Sequence, residues 1–198
     1  MNGIGAPSGP GNSGSFTSGI HLDERSVNID VLDNTIFNNS KHGIHCNNAV
    51  GINIKGNTFF NNTDAISMMR WAATGQIKKL AIKNNISYAK TKTQTNFTYT
   101  NNAINEPTVT PFTTVLRNLG NIDSNYYSVT NPIGFYMEYY LTTGGAGVPA
   151  SKAGLEGWQS MSTHDVQSRK PAKIPVSYKL NSIIGANKYT NGSFTSNI

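Results

Sequence analysis

The chain has 198 residues, of which 37% are hydrophobic and 13% charged, and this length suits one domain or one domain with a small appendage. Its 16 Lys and Arg residues exceed its 10 Asp and Glu residues by six, and this modest excess is spread along the sequence, so no nucleic-acid-binding stripe is predicted. The single cysteine excludes a disulfide framework, no apolar run is long enough to cross a membrane, and no signal peptide is predicted at the N-terminus.

Residues 1–17 are rich in Gly, Pro and Ser and are predicted to form an irregular arm. One pattern is then written three times between residues 18 and 90, which predicts a stacked repeat architecture. The equivalent positions are Ile20, Ile44 and Ile66; Ile29, Ile52 and Leu80; and Asn34, Asn57 and Asn85. Within each repeat apolar and polar residues alternate, which indicates short half-buried strands. Asparagine tolerates sharp bends, so the three asparagines are predicted to stack as a ladder at a corner.

The repeats are similar to those of a known superfamily. The runs V-N-I-D-V-L-D-N-T-I-F-N-N and V-G-I-N-I-K-G-N-T-F-F-N-N resemble the repeats of right-handed parallel β-helix proteins of the pectate lyase-like superfamily. The resemblance implies an all-β fold, a right-handed parallel β-helix (a solenoid with about 22–28 residues per repeat). It also implies the C-terminal part of a bacterial secreted member, closed by an irregular C-terminal cap that contains a short helix.

Later parts of the chain depart from the repeat. About five extra residues follow Met68 and carry Arg70 and Trp71, and such insertions often form binding loops. A Thr- and Asn-rich stretch at 91–114 is predicted to be a long excursion, and the segment 154–161 is the one good helix candidate. His164 and Asp165 are expected to hold a turn by side-chain hydrogen bonds. The predicted division is an arm at 1–17, repeats at 18–132 and a capping segment at 133–198.

Alternation places the richest polar constellation on the outer side of the first strand of each repeat. Stacked strands lie roughly 4.8 Å apart, so His21, Asp23 and His45 are expected to cluster. The predicted catalytic residues are His21, Asp23, His45 and Arg70. The predicted substrate-binding residues are Glu24, Arg25, Lys41 and Trp71. His42 is expected at the rim of the same face, and solvated polar residues on an outer strand face are the alternative interpretation.

These residue types suit proton transfer on a sugar. A lyase acting on a uronate needs a base beside the carboxylate, here His45 or His21, and a cation, here Arg70 or Arg25. A glycoside hydrolase needs two carboxylates at a defined separation, for which Asp23, Glu24 and Asp64 are poorly placed. No metal or cofactor is predicted from the residues, because carboxylates clustered for calcium are not evident. A calcium ion is implied by the resemblance only.

The leading hypothesis is a carbohydrate-active protein that binds a polysaccharide along this face, with cleavage by a lyase or a hydrolase reaction as its extension. One alternative is a non-catalytic structural or adhesive protein, tailspike-like or at the cell surface, and another is an incomplete fragment of a larger enzyme. The predicted partners are a polysaccharide and, through an open end of the repeat array, a further copy of the chain, with no nucleic acid and no membrane. The resemblance implies a secreted or cell-surface location.

Overall fold

A computed structural model describes residues 17–71, 75–102, 112–129, 134–140 and 147–171. The strands are β1 Ser18–Leu22, β2 Asp30–Leu32, β3 Thr35–Phe37, β4 His42–Asn47, β5 Asn53–Lys55, β6 Thr58–Phe60, β7 Asp64–Trp71, β8 Leu80–Lys83, β9 Ile86–Ala89, β10 Thr95–Asn102, β11 Gly120–Asp123, β12 Tyr126–Val129, β13 Phe135–Tyr140 and β14 Gly147–Ala153. The helices in these ranges are α1 Phe112–Arg117 and α2 Leu155–Ser162.

The strands form three sheets in which each strand pairs with equivalents from other repeats. The first sheet has the order β1-β4-β7-β10-β13-β14, the second β11-β8-β5-β2, and the third β12-β9-β6-β3. All the pairings are parallel except that of β13 with β14, which is antiparallel. Successive strands of the chain therefore go to different sheets.

The predicted register of the repeats is confirmed at the first strand. Ile20 lies beside Ile44 and Ile44 beside Ile66, so these side chains form one inward row. Ile44 is fully buried and Ile66 is 4% exposed. The core between the sheets is built from such rows, because alternate residues of a strand point to the same face.

Left-handed residues separate the strands of each repeat. Asn28, Asp33 and Asn38 have φ of 53°, 53° and 54°, and their counterparts in the second repeat, Gly51, Gly56 and Asn61, have φ of 69°, 68° and 54°. Asn, Asp and Gly tolerate this backbone conformation, which bends the chain between one sheet and the next. The bends explain why the strands are short and why hydrogen bonding joins repeats instead of neighbouring strands of one repeat.

The predicted asparagine ladder is confirmed and is longer than expected. Asn57 Oδ1 accepts hydrogen bonds from the backbone N–H and the amide of Asn34, at 2.9 and 3.1 Å. Asn85 accepts the same pair from Asn57, and Asn125 accepts it from Asn85. Each amide thus satisfies a backbone donor that a bend removes from the sheet, which stabilises the stacking of the repeats.

The fold-class prediction of an all-β right-handed parallel β-helix is wrong. The described strands form three separate, mostly parallel sheets and no closed helix or solenoid, and with its two helices the arrangement resembles an α/β-type fold. Local periodicity predicted which strands pair, but the bends between them interrupt the hydrogen-bond ladders and leave the sheets separate. The Thr- and Asn-rich stretch was expected to be either a long excursion or an irregular repeat, and its strand β10 pairs with β7 as a further repeat would. The sequence missed α1.

The helix predicted at 154–161 is present as α2. Its Trp158 is fully buried and stacks on Phe135, with ring centroids 5.4 Å apart. The predicted three-part division of the chain stays a prediction, because residues 1–16 and 172–198 lie outside the described residues. Among the helices that the structure describes, none is long and apolar enough to cross a membrane.

Candidate functional site

Three imidazole rings meet on the outer face of the first sheet, where β1, β4 and β7 lie side by side. His21 is in register with His45, and His45 with Ser67, as the repeat predicted. The rings of His21 and His45 meet edge to face at 4.9 Å between centroids, and His42 stacks on His45 at 4.7 Å. Parallel pairing in register is what brings these residues, distant in sequence, into contact.

His42 forms the shortest polar contact of this group. Its Nδ1 lies 2.8 Å from Oδ2 of Asp64, the residue beside it on β7. The other carboxylate oxygen of Asp64 accepts a hydrogen bond from the Thr95 hydroxyl at 2.5 Å, and Thr95 is the next residue in the same row, on β10. A hydroxyl, a carboxylate and an imidazole from three neighbouring strands thus form one hydrogen-bonded series.

His45 is held in its neutral form. Burial, followed by repulsion from His42, His21 and Lys41, lowers its pKa from 6.5 to about 4, against a weaker attraction to Asp23. Its Nδ1 lies 3.1 Å from the Ser67 hydroxyl, and the ring is 7% exposed. A group with so low a pKa carries no proton near neutral pH, so His45 contributes a neutral ring to the site.

Asp23 stands at the solvent side of the cluster. Its Oδ1 accepts hydrogen bonds from the backbone N–H of Glu24 at 2.8 Å and from the Asn47 amide at 3.1 Å. These bonds, the first more than the second, lower the pKa of the Asp23 carboxyl. His21 Nε2 lies 3.9 Å away. Asp23 is therefore an ionised acceptor, available to hydroxyl groups from solvent.

A pocket of about 650 Å³ opens over this face. Its lining residues are Asp23, Glu24, Lys41, His42, His45, Asn47, Met69 and Trp71. Trp71 is 50% exposed at the end of β7. The Asn48 side chain bonds both the N–H and the carbonyl of Trp71, at 2.7 and 2.6 Å, so the backbone that carries the indole is fixed.

Most of the predicted site residues come together here, and two do not. His21, Asp23 and His45 are in contact, and Glu24, Lys41 and Trp71 line the pocket. Arg70 does not line it, because its Nε donates a hydrogen bond to the Gly75 carbonyl at 2.6 Å and holds the insertion loop. Arg25 lies in the exposed turn after β1, with φ of 67°. The predicted role of either arginine as the cation of this pocket is therefore unsupported, and Lys41 occupies that place.

Sequence reasoning undervalued the row formed by His42, Asp64 and Thr95. Strict alternation would put His42 on the same side as Ile44, facing the core. The pleat is irregular at Gly43, where a Cβ atom would lie 2.6 Å from the Ala65 carbonyl oxygen, and His42 stacks on His45 instead. The available signal was position, since His42 and Asp64 each stand two residues before an aligned isoleucine of the repeat.

A second His–Asp pair, His164 and Asp165, is adjacent in sequence and has a structural role, as the sequence predicted. Asp165 is fully buried and accepts hydrogen bonds from four side chains: Asn125, Tyr127, Trp158 and Ser168. His164 Nε2 lies 2.9 Å from the carbonyl oxygen of Leu116 on α1. Burial, followed by the negative charge of Asp165, raises the pKa of Tyr127 well above its usual value, so its hydroxyl remains a donor.

In the ranges that the structure describes, no group of three or more His, Cys, Asp and Glu side chains is arranged to hold a metal ion. No family profile, curated protein or solved structure matches the chain. The resemblance of its repeats to the pectate lyase-like superfamily stays a prediction.

Proposed function

We propose that the protein is a secreted carbohydrate-active protein that binds a polysaccharide in the pocket on the first sheet. The observation that carries the proposal is the combination, in one pocket, of an exposed indole, two imidazole rings, two carboxylates and a lysine. The apolar face of Trp71 can stack on a sugar ring, while Asp23, Glu24 and Asn47 can bond its hydroxyl groups. The similarity of the repeats to bacterial secreted proteins supports a location outside the cell.

The groups in this pocket favour elimination over hydrolysis as the cleavage reaction. A hydrolase of the usual kind needs a carboxylic acid that is still protonated at working pH, and the hydrogen bonds to Asp23 lower its pKa instead. A lyase needs a base near the carbon beside a uronate carboxylate and a cation for the developing negative charge. Imidazole nitrogen and the Lys41 ammonium supply these two groups, so the proposed substrate is a uronate-containing polysaccharide.

Binding and cleavage can be tested separately. Affinity for polygalacturonate and for a neutral glucan would be measured by calorimetry, and cleavage by the ultraviolet absorbance of unsaturated ends and by reducing sugars. We expect Trp71→Ala to weaken binding by about ten-fold, the equivalent of one aromatic contact. Phe60→Ala is the matched control, because Phe60 is an aromatic residue 42% exposed on the third sheet. Absence of binding to every glycan, or equal losses in the two variants, would overturn the proposal.

A second candidate function, self-association through the open end of the array, rests on a separate observation. The strands β1, β2 and β3 are each the terminal strand of a sheet in the described chain. Ile20, Leu22 and Ile29 in that first repeat are only partly buried. Their equivalents Ile44, Cys46 and Ile52 are fully buried. Free strand edges of this kind can pair with another chain.

Light scattering after size exclusion tests this candidate. We expect a mass that rises with protein concentration toward twice that of one chain, and a lower mass for Leu22→Lys, which places a charge at the open end. A monomer at all concentrations would rule out association of copies through these strands.

A further inference from the structure

The hydrogen bonding of His42 determines which of its nitrogens can act. Asp64 is a carboxylate acceptor, so the contact of 2.8 Å places the proton on Nδ1 of His42 and leaves the lone pair on Nε2. His42 lines the pocket, so its Nε2 belongs to a ring that a ligand in the pocket would contact. A carboxylate in this position sets the tautomer and stabilises the imidazolium that forms when Nε2 takes up a proton.

Asp64 is itself held on both sides. Its Oδ1 accepts the Thr95 hydroxyl and its Oδ2 faces His42. The backbone of Asp64 and that of Thr95 are held by hydrogen bonds to neighbouring repeats. The Asp64 N–H donates to the Lys41 carbonyl and the Thr95 N–H to the Thr63 carbonyl, both at 2.9 Å. A catalytic ring supported by a second set of hydrogen bonds is more accurately oriented than one that solvent surrounds.

The other two imidazoles are less suited to proton transfer. The ring of His45 lies between those of His21 and His42, and its Nδ1 faces the Ser67 hydroxyl. Its pKa of about 4 makes it a weak base. His21 does not line the pocket. The charged and titratable groups that face His42 from the surrounding strands are Lys41, His45, Asp64, Asp23 and Glu24.

We propose that His42 is the proton-transferring catalytic residue of this pocket, with Asp64 and Thr95 as its positioning residues. The inference rests on the proposed function and deepens it. In the elimination, His42 Nε2 takes the proton from the carbon beside the uronate carboxylate. The electron pair of that C–H bond forms the new C=C bond as the glycosidic C–O bond breaks, and the leaving oxygen takes a proton from water. The imidazolium then releases its proton to solvent, so that no oxidant or reductant is needed.

The test compares four variants and one control variant with the wild type on polygalacturonate, measuring kcat, KM and affinity. We expect His42→Gln to lower kcat by 10²–10⁴-fold while the affinity for the glycan changes by less than about three-fold. Asp64→Asn is expected to lower kcat roughly 100-fold with little change in KM, because it replaces the charged acceptor by an amide, whose NH2 group can favour the other tautomer and whose oxygen no longer stabilises the imidazolium. Thr95→Val is expected to lower kcat and Thr95→Ser to restore it, because serine keeps the hydroxyl. Asp30→Asn, on the outer face of the second sheet, is the control.

The outcomes separate the two proposals. If the wild type neither binds nor cleaves any glycan, the proposed function fails and the role of His42 with it. If the wild type cleaves and His42→Gln cleaves equally well, only the assignment of His42 is overturned. A fall in affinity that matches the fall in turnover would assign His42 to binding alone.

Should His42→Gln not fold, the Thr95→Val and Thr95→Ser pair decides, since equal kcat in both variants would show that the Thr95 hydroxyl does not position Asp64 and His42. Nitrogen-15 NMR of the His42 ring provides a readout independent of turnover: a proton on Nε2 instead of Nδ1 overturns the inference.

Discussion

Two Asp–His groupings of the molecule, His42 with Asp64 and His164 with Asp165, differ in how their carboxylates are used. Asp165 follows His164 directly in sequence and is buried in the closing segment, where four side chains donate hydrogen bonds to it. Asp64 is 22 residues from His42, yet the two side chains form a pair at the border of a pocket. Adjacency in sequence thus accompanies a structural role here, and a long separation accompanies the candidate catalytic one.

The difference lies in what remains available to a ligand. The carboxylate of Asp165 accepts hydrogen bonds from side chains in the interior. It links Asn125, at the end of the asparagine ladder, to Trp158 of α2. The Asp64 carboxylate, in contrast, bonds one nitrogen of an imidazole whose ring lines a pocket. A buried polar cluster with all its partners inside the protein stabilises the fold, whereas one that leaves a group at a pocket can act on a substrate.

The sharpest way to break this comparison is to remove the buried carboxylate. Asp165→Ala leaves the donors of Trp158, Tyr127 and Asn125 without their acceptor in the interior, and we expect the free energy of unfolding to fall by about 3–5 kcal/mol. Urea denaturation followed by tryptophan fluorescence measures this. Asp30→Ala, on an exposed strand position, should change stability by about 0.5 kcal/mol or less. Similar losses in the two variants would show that the Asp165 cluster has no special role.

The pocket cluster predicts a dependence of stability on pH below neutrality. The folded-state pKa of His45 is about 4 and its unfolded value is 6.5, so the unfolded chain binds more protons between these values. The stabilisation is complete above pH 6.5 and is lost as the pH falls to 4, a change of about 3 kcal/mol. Denaturation curves at pH 7 and pH 4 should show this loss in the wild type and a smaller loss in His45→Gln. The prediction fails if the two proteins lose stability equally.

The asparagine ladder ends at the buried cluster, and its members should contribute unequally to stability. Asn85→Ala removes the acceptor of two Asn57 donors and one donor to the Ile54 carbonyl, all in the interior, with an expected loss of about 2–3 kcal/mol. Asn34→Ala lies at the half-exposed end, and we expect about 1 kcal/mol. Chemical denaturation of both variants checks the ratio. A larger loss for Asn34→Ala would contradict the dependence on burial.

The smallest effect on stability is expected at the rim of the pocket. Trp71 is 50% exposed and its backbone is held by Asn48, so Trp71→Ala should change the free energy of unfolding by about 0.5 kcal/mol or less. The same variant should lose glycan affinity, which separates binding from stability. A destabilisation as large as that of Asp165→Ala would instead assign Trp71 to the packing of the insertion loop.

Much of the candidate site could be predicted because it depends on register. The spacing of Ile20, Ile44 and Ile66 was enough to place His21, His45 and Ser67 in one row. His42 was expected at the rim of this face, but its contact with Asp64 and its stacking on His45 could not be predicted, because they depend on how the side chains pack. The position of Arg70 could not be predicted either, since its hydrogen bond to the Gly75 carbonyl has no counterpart in the repeat pattern.

The sequence by itself determined which positions of successive repeats are equivalent, and therefore the asparagine ladder, the inward isoleucines and the row of outer polar residues. Periodicity suffices for this, because the pairing of neighbouring strands follows the alternation of apolar and polar residues. Only the tertiary structure decided that the strands form three separate sheets, that Asp165 is sealed inside, and that His42 joins Asp64 beside a pocket. These features depend on contacts between side chains far apart in sequence, whose burial and direction no local pattern encodes.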